Sequence, residues 1–332
     1  MIHPPLAATD QLSVDEVARL GHAVLAEVGT AIVGMRSALR TALAAILAGG
    51  HVLFEDVPGL GKTLAARSLA TALGLDFRRL QCTPDLLPSD ITGAFVFDPA
   101  ESTFVFRPGP VFTGLFLADE INRTAPKTQS ALLEAMAERQ VTVEGTTYGL
   151  TRPFHVMATS NPVEYEGTYP LPEAQLDRFM VRLAVGYPER DAEVNVLERR
   201  LARRAEEVTV DTIVDPATLL AMQAGVERVE VDTDILRYCV DLADATRRHP
   251  AVEVGASPRG SQALVLVARG VAVLEGRDYV TPEDVKGIAV AALAHRLTLN
   301  PQAWADGMQS DAVVASLLDQ VAGPPAAPAG AR

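Results

Sequence analysis

Positive charge is scarce in this chain, lysine most of all. Its 332 residues contain three lysines, Lys62, Lys127 and Lys286, and the formal net charge is −13. The deficit is general: residues 1–190 carry 15 basic and 21 acidic side chains, and residues 191–332 carry 14 and 21. Neither half offers the basic stripe that a nucleic-acid backbone requires, so no nucleic-acid partner is expected, although these sums leave room for a local basic loop. Cysteine is nearly missing as well. Cys82 and Cys239 lie too far apart for metal-ligand or redox-pair spacing and read as reduced core thiols of a cytoplasmic protein. No apolar run reaches the length of a membrane span without a charge, a histidine or a glycine pair interrupting it. The opening Met-Ile-His-Pro-Pro lacks the charged-then-apolar order of a secretion signal. A soluble, cytoplasmic protein with no membrane span is the expectation. At 48% hydrophobic residues the chain can bury one large core or two ordinary ones, and two domains are expected.

With lysine so rare, the surroundings of Lys62 carry weight. Residues 55 to 63 read Glu-Asp-Val-Pro-Gly-Leu-Gly-Lys-Thr, entered by an apolar strand pattern from His51 and left by a helical pattern through Leu73. Glycines at 59 and 61 permit the backbone to turn successive N–H groups inward, so a polyphosphate can be cradled at a helix N-terminus whose dipole also favours negative charge. Pro58, Gly59, Leu60, Gly61, Lys62, Thr63 and Leu64 are therefore the candidate phosphate-binding residues. Lys62 would reach the outer phosphates, and the Thr63 hydroxyl would ligate Mg²⁺. Asp56 stands where such loops usually have their first glycine. Asp tolerates a positive φ, but its carboxylate so near phosphates is expected to weaken affinity.

A second constellation lies downstream. Leu115-Phe-Leu-Ala118 is a short apolar run ending in Asp119-Glu120, the pattern of a buried parallel strand delivering two carboxylates at its C-terminal edge. Asp119 would hold Mg²⁺ through water, and Glu120 would orient and deprotonate an attacking water. Asn161 closes another apolar strand, Val156 to Ser160, where its amide can bond a phosphate or the same water. Arg178 follows a short helix and Arg259 opens a later one; each offers a fixed cation and a planar fork for phosphate oxygens. Taken singly, these three read as well as a turn residue before Pro162 and two surface ion-pair partners.

Ser13-Val-Asp-Glu16 is a capping box that opens a helix over 13–28, and a second helical pattern runs from Arg36 to Leu47. From His51 strands alternate with helices, placing strands at 51–55, 77–82, 115–119, 155–160 and 180–185, as a parallel α/β sheet demands. Two hairpin-like stretches interrupt the alternation: residues 94–106, whose phenylalanines flank a turn, and residues 140–151 around Glu144-Gly145. Beyond Pro188 the pattern becomes helical, with segments at 235–246, 261–274 and 282–295 and a short extended stretch near 227–231. Residues 323–332, rich in Pro, Ala and Gly, read as a disordered tail.

Taken together, Gly49 to Thr63, Ala118 to Met136, Ala158 to Pro162, Leu171 to Phe179 and Gly255 to Arg259 resemble, in order, the MoxR branch of AAA+ ATPases, from about residue 20 to residue 300. The resemblance implies an α/β fold: a P-loop AAA+ αβα nucleotide-binding domain over 1–188 and a smaller C-terminal helical lid domain over 189–322, assembled as a ring, a hexamer. By motif position it makes Lys62 and Thr63 part of Walker A, Asp119 and Glu120 part of Walker B, Asn161 sensor 1, Arg178 the arginine finger for a neighbouring subunit and Arg259 sensor 2. Val33-Gly34 resembles the segment beside the adenine, residues 94–106 the helix-2 insert, and 140–151 the pre-sensor-1 hairpin. Asp56 and Ser160 depart from the family, where glycine and glutamine are common. ATP and Mg²⁺ are the implied cofactors. The implied role is chaperone-like remodelling of a protein client, often with a partner carrying a von Willebrand factor A domain. A helicase-like nucleic-acid motor and a nucleotide-gated scaffold with little turnover are the alternative readings.

Overall fold

The computed structural model describes residues 12–162, 167–205 and 207–325. Most of the segment read as a disordered tail, residues 326–332, lies outside that range. Two N-terminal helices come first, α1 (Val14–Ala31) and α2 (Arg36–Leu47). The α1 capping box forms in full: Ser13 accepts from the Glu16 N–H, and the Glu16 carboxylate accepts from the Ser13 N–H at 2.9 Å. The helix outruns the expected 13–28 by three residues, to Ala31.

The α/β region follows in the order β1 (Val52–Glu55), α3 (Lys62–Ala72), β2 (Phe77–Gln81), α4 (Pro88–Thr92), β3 (Gly93–Asp98), β4 (Thr103–Pro108), β5 (Leu115–Asp119), α5 (Pro126–Glu138), β6 (Gln140–Val143), β7 (Thr146–Gly149), β8 (His155–Ser160), α6 (Glu173–Leu176) and β9 (Val181–Leu183). Five strands form one sheet in the order β2-β5-β8-β1-β9, every pairing parallel. The stretches β3–β4 and β6–β7 form separate antiparallel hairpins. Central β5 and β8 are buried at every position, whereas edge strand β2 exposes Arg78, Arg79 and Gln81.

Alternation along the strands separates two cores. Val52 and Phe54, Leu115 and Leu117, and Met157 face a large cluster; Leu53, Phe116 and Ala118, Val156 and Ala158 face a smaller one with Ile91 of α4, Leu132 and Met136 of α5, and Phe179. The large cluster is continuous past Pro188. It takes in α1, α2 and α3 together with α8 (Pro216–Val226), α9 (Thr233–Arg248), α10 (Pro258–Leu274), α11 (Pro282–Leu293) and α13 (Ser310–Gln320). Exposed α7 (Arg190–Arg203) leads into this helical part, and β10 (Val252–Val254) pairs with β11 (Thr298–Leu299) beside α12 (Pro301–Ala305). The extended stretch expected near 227–231 reduces to a single parallel bridge between Glu230 and Tyr279. Helix α10 crosses α2 so closely that a Cβ on Gly270 would lie 2.5 Å from the Ala44 carbonyl oxygen. The C-terminal helices are thus seated on the N-terminal pair rather than separated from them by solvent. Among the described residues no helix is long and apolar enough to cross a membrane.

The sheet's N-terminal edge is closed by two buried histidines. His51 accepts the Val156 N–H on Nδ1 at 2.9 Å, so its Nε2 carries the proton and faces the Met136 carbonyl at 3.2 Å. His155 bonds the Gly50 carbonyl through Nδ1 at 2.9 Å and accepts Gln223 on Nε2 at 3.1 Å. Both rings are neutral and fully used. Burial pushes their pKa down, to about 3 for His51 and about 4 for His155, and holds His295 well below its usual value. In the unfolded chain these rings take protons near pH 6.5 while the folded chain refuses them, so stability is complete above that pH and falls as pH drops toward 4. We expect each ring to cost up to about 2 kcal/mol of stability between pH 6.5 and pH 5. Chemical denaturation at the two pH values checks this, and His155→Gln should flatten the slope.

Candidate functional site

Open parallel sheets bind ligands outside the carboxyl ends of their strands, and that edge here carries a cleft of about 250 Å³ between the ends of β1, β2, β5 and β8. It is lined by Pro58 to Thr63, Arg79, Gln81, Asp119, Glu120 and Thr159 to Asn161. A larger groove of about 550 Å³ between α9 and α13 is lined by Asp241, Asp244, Arg248 and His249 and has no glycine loop or strand end. Chemistry selects the smaller cleft.

The turn at 56–61 is made by its glycines, with φ of 83° at Gly59 and 81° at Gly61, a left-handed backbone that side chains resist. No atom lies within 4 Å of where a Cβ would stand on either glycine, so the requirement is conformational and the concavity stays open. Gly61 caps α3, which starts at Lys62, and its N-terminus lies at the cleft. Lys62 is 8% exposed, and its ammonium donates to the carbonyls of Asp56 and of Val57, the latter at 3.1 Å. Burial lowers its pKa, and the carboxylates of Asp56, Asp119, Glu120 and Glu55 oppose that shift.

Asp56 takes no positive φ, and it does not line the cleft. One oxygen accepts the Val57 N–H at 2.8 Å; the other accepts the N–H groups of Val185 and Gly186 at 2.7 and 2.6 Å. Asp56 therefore staples the loop to the segment after β9 that leads into the helical part. Beside it Glu55 pairs with Arg182 at 2.7 Å, and Arg182 also pairs with Asp311 of α13.

Asp119, 7% exposed, is the most connected acid in the cleft. Its Oδ1 accepts Thr159 Oγ1 at 2.6 Å, and its Oδ2 accepts Thr63 Oγ1 at 3.1 Å and the Arg79 Nε at 2.8 Å. Glu120 has φ 59°, a left-handed turn that costs energy in a residue with a side chain. Its N–H is fixed on Thr159 Oγ1 at 2.8 Å, and its carboxylate receives Gln81 at 2.7 Å and Arg123 at 2.9 Å. Thr159 thus holds the Asp119 carboxylate and the Glu120 backbone from the neighbouring strand. Asn161 is buried, and its carbonyl accepts the Asn122 amide at 3.1 Å.

The remaining predicted residues do not line the cleft. Leu64 packs into the large core. Val33 and Gly34 lie between α1 and α2, Gly34 against Pro188 and Ala192 at the start of α7. The Arg178 guanidinium donates to the Leu133 carbonyl of α5. Arg259, with a side chain 58% exposed, stands 3.9 Å from Asp177. That carboxylate is also held by Arg296 at 2.8 Å and Ser257 at 3.1 Å, which ties the strand-side segment bearing Arg178 to the helix bearing Arg259. Sequence reasoning gave no role to Arg79, Gln81 or Thr159. The alternation Arg79-x-Gln81 on an edge strand beside the acidic one was the available signal. The other polar candidates for chemistry are closed: both cysteines are buried thiols, pushed up to about 12 by burial.

A glycine loop able to cradle phosphates, a helix N-terminus, and two carboxylates at the end of buried strand β5 define a P-loop nucleotide-binding enzyme. Comparison with known proteins narrows that class. The model of the ATPase family associated with various cellular activities matches residues 51–181, and the model of the AAA lid domain matches residues 244–317. The chain is 49% identical over 302 residues to the uncharacterized protein YeaC of Bacillus subtilis, covering 91% of this chain and 94% of that one. It is 40% identical over 318 residues to the chaperone MoxR1 of Mycobacterium tuberculosis, covering 93% and 83%. A crystal structure of a proposed ATPase from Cytophaga hutchinsonii superposes with a TM-score of 0.85 at 40% identity, covering 92% of this chain and 95% of that one. The chain belongs to the MoxR family of AAA+ ATPases.

The Asp56 staple makes a testable difference. Asp56→Ala leaves the Val185 and Gly186 N–H groups without their acceptor, and should destabilise the fold by about 1–3 kcal/mol while nucleotide affinity stays within a few-fold. Thermal melting and equilibrium nucleotide titration measure the two effects separately. A large gain in affinity without destabilisation would mean that the carboxylate acts on the phosphates after all.

Proposed function

We propose that this ATPase works as a Mg²⁺-dependent ring, a hexamer, that couples ATP hydrolysis to chaperone-like remodelling of a protein client in the cytoplasm. The observation that carries the reading is the convergence of the glycine loop, Asp119 and Glu120 on one cleft, with a helix N-terminus aimed into it.

In this reading the N–H groups from Gly59 to Thr63 cradle the phosphates, flanked by Pro58 and Leu64, and Lys62 leaves its loop carbonyls to reach the outer two. Thr63 would ligate the metal, and Asp119 would hold it through water. Their oxygens already meet at 3.1 Å, and among the described residues no group of three or more His, Cys, Asp or Glu side chains could hold a metal unaided. One carboxylate and one hydroxyl, completed by phosphate and water, suits Mg²⁺. The metal supplies charge neutralisation on the phosphate oxygens when bound. Glu120 takes the proton of the attacking water, and Asn161 orients that water or the outer phosphate. Val33 and Gly34 sit beside the base, where Gly34 touches the segment that Asp56 pins. Arg259 reaches the phosphates from the lid. Arg178, which is not in its own cleft, serves a neighbour's.

The remodelling role rests on the likeness to a protein named a chaperone and on the two hairpins. Hairpin β3–β4 exposes Phe97 and Phe104, paired edge to face at 5.4 Å, an apolar tip that suits a protein client better than a phosphate backbone. A von Willebrand factor A protein is the partner proposed. The nucleic-acid motor gains nothing from an acidic chain, and an Asp56 carboxylate engaged with the Val185 and Gly186 N–H groups favours turnover over the scaffold reading.

Complementation tests the ring. Arg178→Ala and Lys62→Ala should each lower Mg²⁺-ATP turnover, the finger variant by on the order of 10³ or more, without unfolding. Mixing the two should restore part of the rate, because some interfaces then pair an intact loop with an intact finger. Turnover that stays absent in mixed assemblies, with co-assembly verified, would place Arg178 in its own subunit's chemistry or in a structural bond.

A further inference from the structure

Arg79 has no part in the roles assigned above, yet it makes the closest contact between a cation and a carboxylate in the cleft. It stands on edge strand β2, where Phe77, Arg79 and Gln81 share one face and Gln81 is in register with Asp119. Its Nε and a terminal nitrogen both reach Asp119 Oδ2, at 2.8 and 2.7 Å. That oxygen is the one that also accepts Thr63 Oγ1. The same guanidinium donates to Gln81 at 2.7 Å, and Gln81 donates to Glu120 at 2.7 Å. Lys62, the other cation of the cleft wall, is bonded to the loop carbonyls of Asp56 and Val57 instead.

A carboxylate as enclosed as Asp119 needs a counter-charge, and Arg79 supplies it. A divalent cation entering between Thr63 and Asp119 would bring its water to Oδ2 and would stand near a fixed positive charge, so the guanidinium and the hydrated cation compete for one oxygen. The arginine is free to yield. Its side chain is 43% exposed, and the edge strand leaves it room on the solvent side, whereas Thr159 holds the other oxygen of Asp119 in place.

We propose that Arg79 is the resident counter-ion of Asp119, a positioning residue that holds the carboxylate ready and sets the Mg²⁺ concentration at which the metal can displace it. The inference rests on the reading that Thr63 and Asp119 take the cation. Its consequence is that the cleft is tuned against premature metal entry, because every Mg²⁺ bound must first break the hydrogen bond and the ion pair that Arg79 makes to Asp119.

The test titrates MgCl₂ into full-length protein with a fluorescent ADP and reads the Mg²⁺ concentration at half-saturation. Arg79→Ala should lower that concentration on the order of tenfold, and Arg79→Lys, which keeps the charge, should stay near the parent. In EDTA without nucleotide, Arg79→Ala should melt below the parent, and the gap should close in saturating Mg²⁺-ADP; a merely structural arginine would leave the gap open. A parent that depends on Mg²⁺ together with an unshifted Arg79→Ala overturns the counter-ion role alone. So does an Arg79→Ala that binds ADP more weakly in EDTA and needs more Mg²⁺, which would make Arg79 a phosphate ligand. A parent indifferent to Mg²⁺ overturns the metal reading and this role with it.

Discussion

Asp119 is a carboxylate almost shut off from solvent at the end of a strand buried along its whole length, and a charge so placed must be matched by its neighbours. The surrounding cleft is arranged to do so. Thr159 comes from the next strand, Thr63 from the first turn of α3, and Arg79 from the edge strand, so the acid joins three elements at the sheet's carboxyl edge. Thr159 also takes the N–H of Glu120 and thereby fixes the left-handed turn that aims the second carboxylate. Removing the acid would leave an arginine and two hydroxyls without their acceptor, a larger loss than one side chain's contacts.

The second constraint is the large core. It runs from α1 and α2 across one face of the sheet into the C-terminal helices without a break, and Gly270 permits α10 to lie against the α2 backbone. Between the sheet and the helical part this packing is reinforced by polar ties: Asp56 to Val185 and Gly186, Glu55 to Arg182 to Asp311, and Asp177 to Arg296, Ser257 and Arg259. Each tie starts at or beside a residue of the nucleotide cleft or the segment of Arg178. The glycine loop is therefore tied to the helical part by direct polar contacts.

The central strands were legible because a strand buried on both faces writes itself as an uninterrupted apolar run. Leu115 to Ala118 and Val156 to Ala158 are such runs, and β5 and β8 occupy the positions they predict. The glycine loop was legible because few other structures need Gly-x-Gly-Lys-Thr between a strand and a helix. The phenylalanine alternation similarly announced hairpin β3–β4. What could not be read were contacts far apart in sequence. Asp56 was judged by its distance from phosphates along the chain, but its partners lie 129 and 130 residues away. Arg79 was one charge on a short edge strand, and only the β2–β5 register sets it on Asp119. The seating of α10 on α2 depends on a glycine that in sequence looks like an ordinary helix interruption. The β10–β11 pair is too short to carry a periodic signal.

The account turns on Glu120 being the group that accepts the proton while the loop and Asp119 do the binding. The direct measurement is ATP affinity and steady-state turnover of Glu120→Gln beside the parent, in Mg²⁺, on the assembled protein. The substitution keeps the side chain's shape and its ability to accept from Gln81 and Arg123 while removing its basicity. Affinity unchanged within a few-fold, with turnover lowered by about 10² or more, is the predicted result. Turnover at the parental rate would contradict the account, since the water would then be activated by some other group.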